Sequence, residues 1–371
     1  MTRSGPVGIG IIGAGVISDT YLVNLASFPD TTVVAIGDLR PEAARAKAAE
    51  HAVSVAGDVD AVLGHPDVEI VVNLTIPAAH AEVAGRALAA GKHVWNEKPL
   101  ALDRASARAV LDAAEAAGLR VGCAPDTFLG AGLQATRNLI EQGAIGEPLT
   151  ALAIVQSPGP DRWHPNPAFL FQAGGGPLLD LGPYHLTALV QLVGPIASVA
   201  AVASTARRER TIGSGPRAGE TFEVTVPTHV AAVVRFTTGA SAQVVLSFDS
   251  AVPRILLEVA GRDGTLIATD PNGFDGEVGI RRSGFAETEI VARTTATSER
   301  GTGVLDMARA IREGRPHRAA GELAYHVLDA MLAIEESAAR GAFVDVASRP
   351  PIVPPLPADW DPHALTVGGG R

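Results

Sequence analysis

Over the first 124 residues, short apolar runs alternate with alanine-rich stretches, and the first run ends in Gly13-Ala14-Gly15. Val7–Ile12 is long enough for a buried parallel strand and too short for a helix. A helix is expected from about Val16 to Ser27. A second apolar run, Val33–Gly37, ends at Asp38, and Pro41 opens a helix through about Glu50. Asp58 caps a short helix. Glu69–Leu74 and Lys92–Asn96 read as strands around a helix, Ala78–Ala90, that Gly91 stops. Asp103 caps a helix to about Ala117, and Arg120–Cys123 closes the series. This rhythm predicts a doubly wound parallel sheet with its ligand edge at the C-terminal ends of the strands.

Two glycine patterns overlap in the first turn. Gly8-Ile9-Gly10-Ile11-Ile12-Gly13 matches G-x-G-x-x-G literally but lies inside the predicted strand. Gly13-Ala14-Gly15-Val16-Ile17-Ser18 has Ser in the last place, yet it has a strand before it and a helix after it. There Gly13 makes the turn, Gly15 lets backbone approach a pyrophosphate, and the amides from Val16 and Ile17 face the anion. Asp38 ends the second strand, where a carboxylate accepts from both ribose hydroxyls and repels a 2′-phosphate. NAD is therefore the expected cofactor. Arg40 keeps NADP open, since a nearby Arg can hold that phosphate.

His93-Val94-Trp95-Asn96-Glu97-Lys98-Pro99 runs off a strand at the ligand edge. Pro99 favours an extended approach at Lys98 and ends the ladder. On spacing alone Lys98 is either a ligand-edge cation or a solvated loop lysine. Gly13–Ser18, Thr75-Ile76-Pro77 with His80, Gly91-Lys92-His93 with Glu97-Lys98-Pro99, and Gly174-Gly175-Gly176 leading to Asp180-Leu181-Gly182 together resemble the glucose–fructose oxidoreductase/inositol dehydrogenase (Gfo/Idh/MocA) family. The resemblance covers roughly residues 6–350. It implies an N-terminal Rossmann domain followed by an α/β domain with a large open, mainly antiparallel sheet. It also implies NAD(H) or NADP(H) binding and oxidation of a sugar or polyol hydroxyl. Lys98 matches the family's catalytic lysine; Thr75, Ile76, Pro77, His80 and Glu97 match positions along the cofactor.

A domain boundary is expected at 124/125, with a second domain over 125–348 and a Pro-rich tail over 349–371 that either lies on the first domain or is loose. Ser157–Phe171 is Pro-rich and aromatic. Its Arg162, Trp163 and His164 are candidate substrate contacts, with Trp163 as an apolar platform for a sugar ring; the alternative is a surface loop with a buried Trp. Leu178–Val193 reads as a helix. Asp180 and Tyr184 are four apart and share one face, while His185 points about 100° away. Many family members carry His four residues after the Asp. This chain carries Tyr184 there, as in the sugar-oxidoreductase and dihydrodiol-dehydrogenase branches, so the resemblance gives Tyr184 the proton and makes His185 a neighbour. A phenol is a weak base near pH 7, and a close ammonium such as that of Lys98 would favour its ionised form. Asp180 would orient Lys98 or bind a sugar hydroxyl. His185 is the rival base, or else a core histidine.

Strands are expected at Ile196–Ser204, His229–Thr237, Ala240–Asp249, Ile255–Ala260 and Thr265–Thr269, with hairpin turns at Thr238-Gly239 and Arg262-Asp263-Gly264. Thr205–Val226 reads as an exposed excursion, and its Arg207-Arg208-Glu209-Arg210 run as a solvated loop. Helices are expected at Gly303–Arg312 and Glu322–Arg340.

The formal charge is −10, which gives no general attraction to nucleic acid or an anionic bilayer. No apolar run approaches the roughly 20 residues of a spanning helix. Cys123 is the one cysteine, so an internal disulfide and a thiolate zinc site are excluded, no metal is expected, and a reducing cytoplasm suits the chain. The resemblance adds a homodimer or homotetramer. A glycosidase or lyase that borrows and returns a hydride, and an idle nucleotide or sugar sensor, are the competing functions.

Overall fold

β1 (Val7–Ile12) is buried at all six positions, which only a strand covered on both faces requires. The computed structural model describes residues 4–367 and, among them, places β1 at the centre of a parallel sheet. With α1 (Val16–Ser27), β2 (Thr31–Gly37), α2 (Pro41–His51), β3 (Val55–Gly57), α3 (Val59–Leu63), β4 (Ile70–Asn73), α4 (His80–Ala89), β5 (His93–Asn96), α5 (Arg104–Ala116) and β6 (Val121–Cys123) it forms the order β3-β2-β1-β4-β5-β6. Every neighbouring pair is parallel. The strand order reverses between β1 and β4, which opens the crevice where such sheets bind ligands. β3 adds a strand beyond those expected.

Local chemistry explains the elements. In α1 the buried residues Ser18, Tyr21, Leu22 and Leu25 repeat at helical spacing, and in α5 Ala107, Val110, Leu111 and Ala114 do the same. Asp103 accepts from the Ser106 amide at 2.8 Å, and Asp58 from that of Ala61 at 2.9 Å, as capping residues do. The literal glycine match has a packing role: a Cβ on Gly8 would overlap the Asp67 carbonyl oxygen, and one on Gly10 would lie 2.5 Å from Val62 Cγ1.

Contacts group the chain into two units. The first takes in residues 4–129, Thr297–Tyr325 and 356–367; the second takes in Gly130–Ala296 and His326–Pro355. The first unit is therefore not a continuous 1–124 stretch. It also contains α8 (Thr302–Glu313) and the last part of the tail. Gly5 N donates to Val367 O at 3.1 Å. Buried Asp30 accepts from the Thr366 and Val367 amides and pairs with Arg309 at 2.7 Å. Burial pushes Asp30 up, but Arg309 and these amides outweigh it and hold its pKa below the usual carboxylate value.

The second unit is built on a sheet ordered β16-β15-β14-β13-β7-β12-β11-β8-β17. Its strands are β7 (Pro148–Gln156), β8 (Ile196–Ser204), β11 (His229–Phe236), β12 (Ser241–Ser247), β13 (Arg254–Gly261), β14 (Gly264–Ile267), β15 (Gly276–Arg282), β16 (Glu289–Thr294) and β17 (Val344–Asp345). Pairing is antiparallel except between β12 and β7. α6 (Ala131–Glu141) packs on β15 and β16, and α7 (Gly176–Val193) on β7, β11, β12 and β13. α9 (Gly321–Arg340) carries the chain from one unit into the other. The excursion after β8 is corrected: it contains a two-stranded ribbon, β9 (Glu209–Thr211) with β10 (Thr221–Glu223), and Arg210 is buried rather than solvated because two carboxylates meet it. Among the described residues, no helix is long and apolar enough to cross a membrane.

Three histidines, His317 and His326 buried and His93 half-buried, set an acid limit on this fold. Burial pulls His93, His317 and His326 down to about 4. For His326 the geometry agrees, since its Nε2 accepts from the Ile196 amide at 2.9 Å and would meet that N–H if protonated. A lowered histidine value means that the unfolded chain binds protons first, so stability is lost as pH falls from about 6.5 through about 4. Asp126 opposes this: burial raises it to about 6, so its stabilising contribution is present at low pH and lost as pH rises from about 4 to about 6. Burial also lowers His80 and His185 and raises Glu335, so five histidines stand against two carboxyls and the melting temperature should fall as pH is lowered from 6.5 to 4. His326→Gln, which can accept and donate in the same places, should make that slope shallower. Calorimetric melts across this range check it; a flat profile would refute the assignment.

Candidate functional site

The glycine turn lies where the strand order reverses. Gly13 has φ +110°, and a Cβ there would lie 2.6 Å from the Leu74 carbonyl oxygen, so only glycine fits between β1 and β4. Gly15 caps α1 without any side-chain hydrogen bond, and a Cβ on it would meet nothing within 4 Å. The α1 N-terminus therefore faces open space, with Val16 89% exposed beside it. Buried Ser18 closes the turn, its hydroxyl donating to Gly15 O at 2.6 Å.

Asp38 fastens this turn to β2. Its Oδ2 accepts from the Ala14 amide at 2.8 Å and its Oδ1 from the Arg40 amide at 2.9 Å. Each oxygen keeps a second lone pair for a ligand hydroxyl. The Arg40 side chain is exposed and only grazes Asp38, Nε to Oδ1 being 4.0 Å. Leu39 and Ile76 are also exposed apolar side chains, at the ends of β2 and beyond β4. An uncapped helix N-terminus, space above Gly15, a carboxylate with free lone pairs and apolar side chains along one edge suit a dinucleotide.

Further along the same edge the polar ends of β4 and β5 interlock. Asn73 Nδ2 donates to Asn96 Oδ1 at 2.8 Å and to His80 O at 3.1 Å, while Asn73 Oδ1 accepts from the Thr75 hydroxyl at 2.7 Å. Pro77 opens a short 3₁₀ turn over Pro77–Ala79. His80 is 1% exposed, and both of its nitrogens face backbone carbonyls: Nδ1 is 2.6 Å from Pro99 O and Nε2 3.0 Å from Thr75 O. Burial lowers its pKa while those carbonyls raise it, with a net lowering. His80 thus ties the Thr75 and Lys98-Pro99 loops together from beneath and presents no ring nitrogen at the surface.

Glu97 is held by buried neighbours. Tyr21 OH donates to Glu97 Oε1 at 2.8 Å and accepts from Trp95 Nε1 at 3.2 Å. The Lys98 amide donates to Glu97 Oε2 at 3.1 Å. Burial, reinforced by the Glu97 charge, raises the Tyr21 pKa well above the usual phenol value, so Tyr21 stays a donor. Lys98 is half-buried at the turn into Pro99. Tyr21, Asn73 and Asn96 were not picked out from sequence. Asn73 and Asn96 each end an apolar run at the ligand edge, which is the signal that marks them.

In the second unit α7 starts at Gly176, two residues before the expected Leu178, and takes Pro183 into its interior. Asp180 is half-buried and Tyr184 buried. His185 is 1% exposed; its Nδ1 lies 3.2 Å from Leu181 O, its Nε2 has no partner, and burial lowers its pKa. Arg162 and Trp163 are exposed and His164 is half-buried, on a loop whose 3₁₀ turn at Ala168–Phe171 packs on α7.

Two family models and several known proteins match this chain. Residues 7–124 match a family model described as an oxidoreductase family with an NAD-binding Rossmann fold, and residues 133–267 match the GFO/IDH/MocA C-terminal domain. A 1,5-anhydro-D-fructose reductase of Ensifer adhaerens is 29% identical over 264 residues, 70% of this chain and 74% of that protein. Levoglucosan dehydrogenase of Pseudarthrobacter phenanthrenivorans is 28% identical over 289 residues, 70% of this chain and 72% of that one. A solved levoglucosan dehydrogenase in complex with NADH and L-sorbose superposes with a TM-score of 0.79 at 25% identity, covering 93% of this chain and 100% of that one. The chain is an enzyme of the Gfo/Idh/MocA family of NAD-binding oxidoreductases.

Proposed function

We propose that this oxidoreductase moves a hydride between NAD and a hydroxyl-bearing carbon of a sugar, a polyol or a related compound. The observation that carries the reading is the Gly13–Gly15 turn, open above Gly15 and pinned by Asp38, at the strand-order reversal. The bound nicotinamide supplies or accepts the hydride. Gly13, Gly15 and the Val16 and Ile17 amides seat the pyrophosphate, and Asp38 accepts from the ribose. Thr75, Ile76, Pro77 and Glu97 line the cofactor, with His80 holding their loops. The names of the relatives support a sugar-like substrate.

Oxidising an alcohol also removes a proton from oxygen. Tyr184 is assigned that proton. Lys98 supplies positive charge where alkoxide character develops, and Asp180 binds a substrate hydroxyl. His185 is a poorer base: it is 1% exposed, and burial lowers its pKa. Arg162, Trp163 and His164 contact substrate, with the exposed Trp163 ring as a platform. The single buried thiol of Cys123 suits the cytoplasm. The exposed apolar side chains Val202 and Val233 on the sheet of the second unit, with Phe343 beside them, favour a homodimer or homotetramer.

Two measurements test this. Tyr184→Phe should lower turnover by about 100-fold or more, the usual size of a general acid–base contribution, while His185→Asn stays within about tenfold; steady-state rates in the reverse order would move the proton to His185. NAD should bind at least about tenfold more tightly than NADP, because a 2′-phosphate meets the Asp38 carboxylate. Asp38→Asn keeps an acceptor for the Ala14 amide and should narrow the gap; equal affinities for the two cofactors in the parent enzyme, by calorimetry, would remove Asp38 from that role.

A further inference from the structure

The excursion after β8 brings a buried cation to the loop that carries Trp163. Arg210 has a fully buried side chain. Its Nη1 donates to Asp161 Oδ1 at 2.7 Å and to Pro158 O at 2.9 Å; its Nη2 donates to Asp249 Oδ1 at 2.6 Å and to Phe248 O at 2.8 Å. Its guanidinium lies over the Phe171 ring, 4.7 Å from the centroid. The Thr228 hydroxyl donates to the other oxygen of Asp249 at 2.5 Å. One planar fork thus joins both ends of the 158–171 loop to the end of β12. Gly159 has φ +108°, and a Cβ there would overlap Asp161 Oδ1 and Arg210 Nη1, so the loop closes tightly on the cation.

The ribbon also grips the loop from outside. Gly213 N donates to Asp161 O at 2.7 Å, the Ser214 hydroxyl to Trp163 O at 2.6 Å, and Arg217 to Asn166 Oδ1 at 3.2 Å. Held in this way, the loop exposes a row of rings. Trp163 and His164 meet edge to face with centroids 5.6 Å apart, and His164 and Phe169 at 5.5 Å. Trp163 is 68% and Phe169 48% exposed. Exposed aromatic rings on an immobilised backbone bind without the entropy loss of ordering a loop. The surface they offer matches the flat C–H face of a ring sugar or cyclitol, which an open-chain polyol does not hold rigid.

We propose that Arg210, paired with Asp161, is a positioning residue that fixes the Trp163–His164–Phe169 edge and gives the enzyme a preference for cyclic over open-chain polyhydroxy substrates. This rests on the sugar or polyol reading above, so the test has two arms. In the first, the parent enzyme, Arg210→Lys, Asp161→Asn, Trp163→Ala and the Arg210→Lys/Trp163→Ala pair are assayed with NAD on a panel of hexoses and cyclitols against open-chain alditols. Lysine cannot reproduce the planar fork, and Asp161→Asn is the milder change should Arg210→Lys fold poorly. The parent should favour the cyclic panel. Arg210→Lys and Asp161→Asn should erase about tenfold of that preference through KM, with kcat within about threefold, and the pair should be no worse than Trp163→Ala alone. An unchanged preference, a loss confined to kcat, or effects that multiply in the pair would overturn the proposal.

In the second arm, hydrogen exchange is followed at the Gly213 and His164 amides, which bond to Asp161 O and Pro160 O. Exchange should quicken in both variants at unchanged NAD affinity, and unaltered exchange would overturn the clamp itself. A parent enzyme that oxidises neither panel overturns the substrate reading and the selectivity with it, while the exchange result still decides the clamp.

Discussion

The cofactor side of the molecule depends on one close approach: the β1 turn passes so near the end of β4 that residue 13 has room only for hydrogen. Gly13 N donates to Gly37 O at 2.8 Å, and Leu74 N donates to Ile12 O at 2.8 Å, so the turn is stitched to β2 on one side and β4 on the other. Asp38 adds a third stitch through the Ala14 amide. The α1 N-terminus is left pointing into open space above Gly15, with the Ser18 amide turned back to Gly15 O at 3.1 Å. A bulkier residue at 13 would push the turn off Leu74 and re-aim the helix, so the packing of β1 against β4 also sets where the α1 N-terminus points.

The loops at β4 and β5 follow the same logic with polar side chains. Asn73 and Asn96 join the strand ends, His80 ties the loops that leave them, and Tyr21 reaches from α1 to hold Glu97 beside Lys98. Because Tyr21 and Trp95 are fully buried, their hydrogen bonds form in a medium of low dielectric, where a satisfied network is rigid and a broken one is costly. The position of Lys98 is thus set by residues from α1, β4 and β5 together.

Periodicity made the parallel sheet legible, because a strand buried on both faces reads as an apolar run and a helix between two such runs repeats at 18, 21, 22 and 25. The glycine turn could be separated from the literal match because only one of the two lies where a strand ends. β7, β15 and β16 escaped notice for the opposite reason. β7 alternates small and large residues, Ala151, Ala153 and Val155 facing inward, and β16 is largely exposed, so neither carries a strong two-residue period. Arg210 looked solvated because it sits among charges, while its partners, Asp161 and Asp249, lie 49 and 39 residues away. His80 was assigned to the cofactor surface by pattern, and no local feature reveals that its ring turns inward to two carbonyls. Local sequence reports backbone preference and burial well, but it does not report which distant group satisfies a buried charge.

That distinction accounts for how the irregular segments are held. The chain is acidic overall, yet the stretches without regular structure are organised by arginines that are buried or half-buried. Arg309 donates to the carbonyls of Asp361 and Ala364 and lies 4.5 Å from the Trp360 ring centroid. Arg137 donates to Val353 O at 2.6 Å, Arg312 to Gly5 O at 3.0 Å, and Arg210 to Pro158 O and Phe248 O. A segment outside helices and sheets has carbonyls with no ladder to accept them into, and proline removes the amide donors that might have served. A guanidinium supplies five donors in one plane and can answer several such carbonyls while a carboxylate balances its charge. The Trp163 loop and the stretch of the tail between Val353 and Ala364, which lack any periodic signal, are thereby tied down by side-chain donors, and a loop held in this way can present side chains to a ligand.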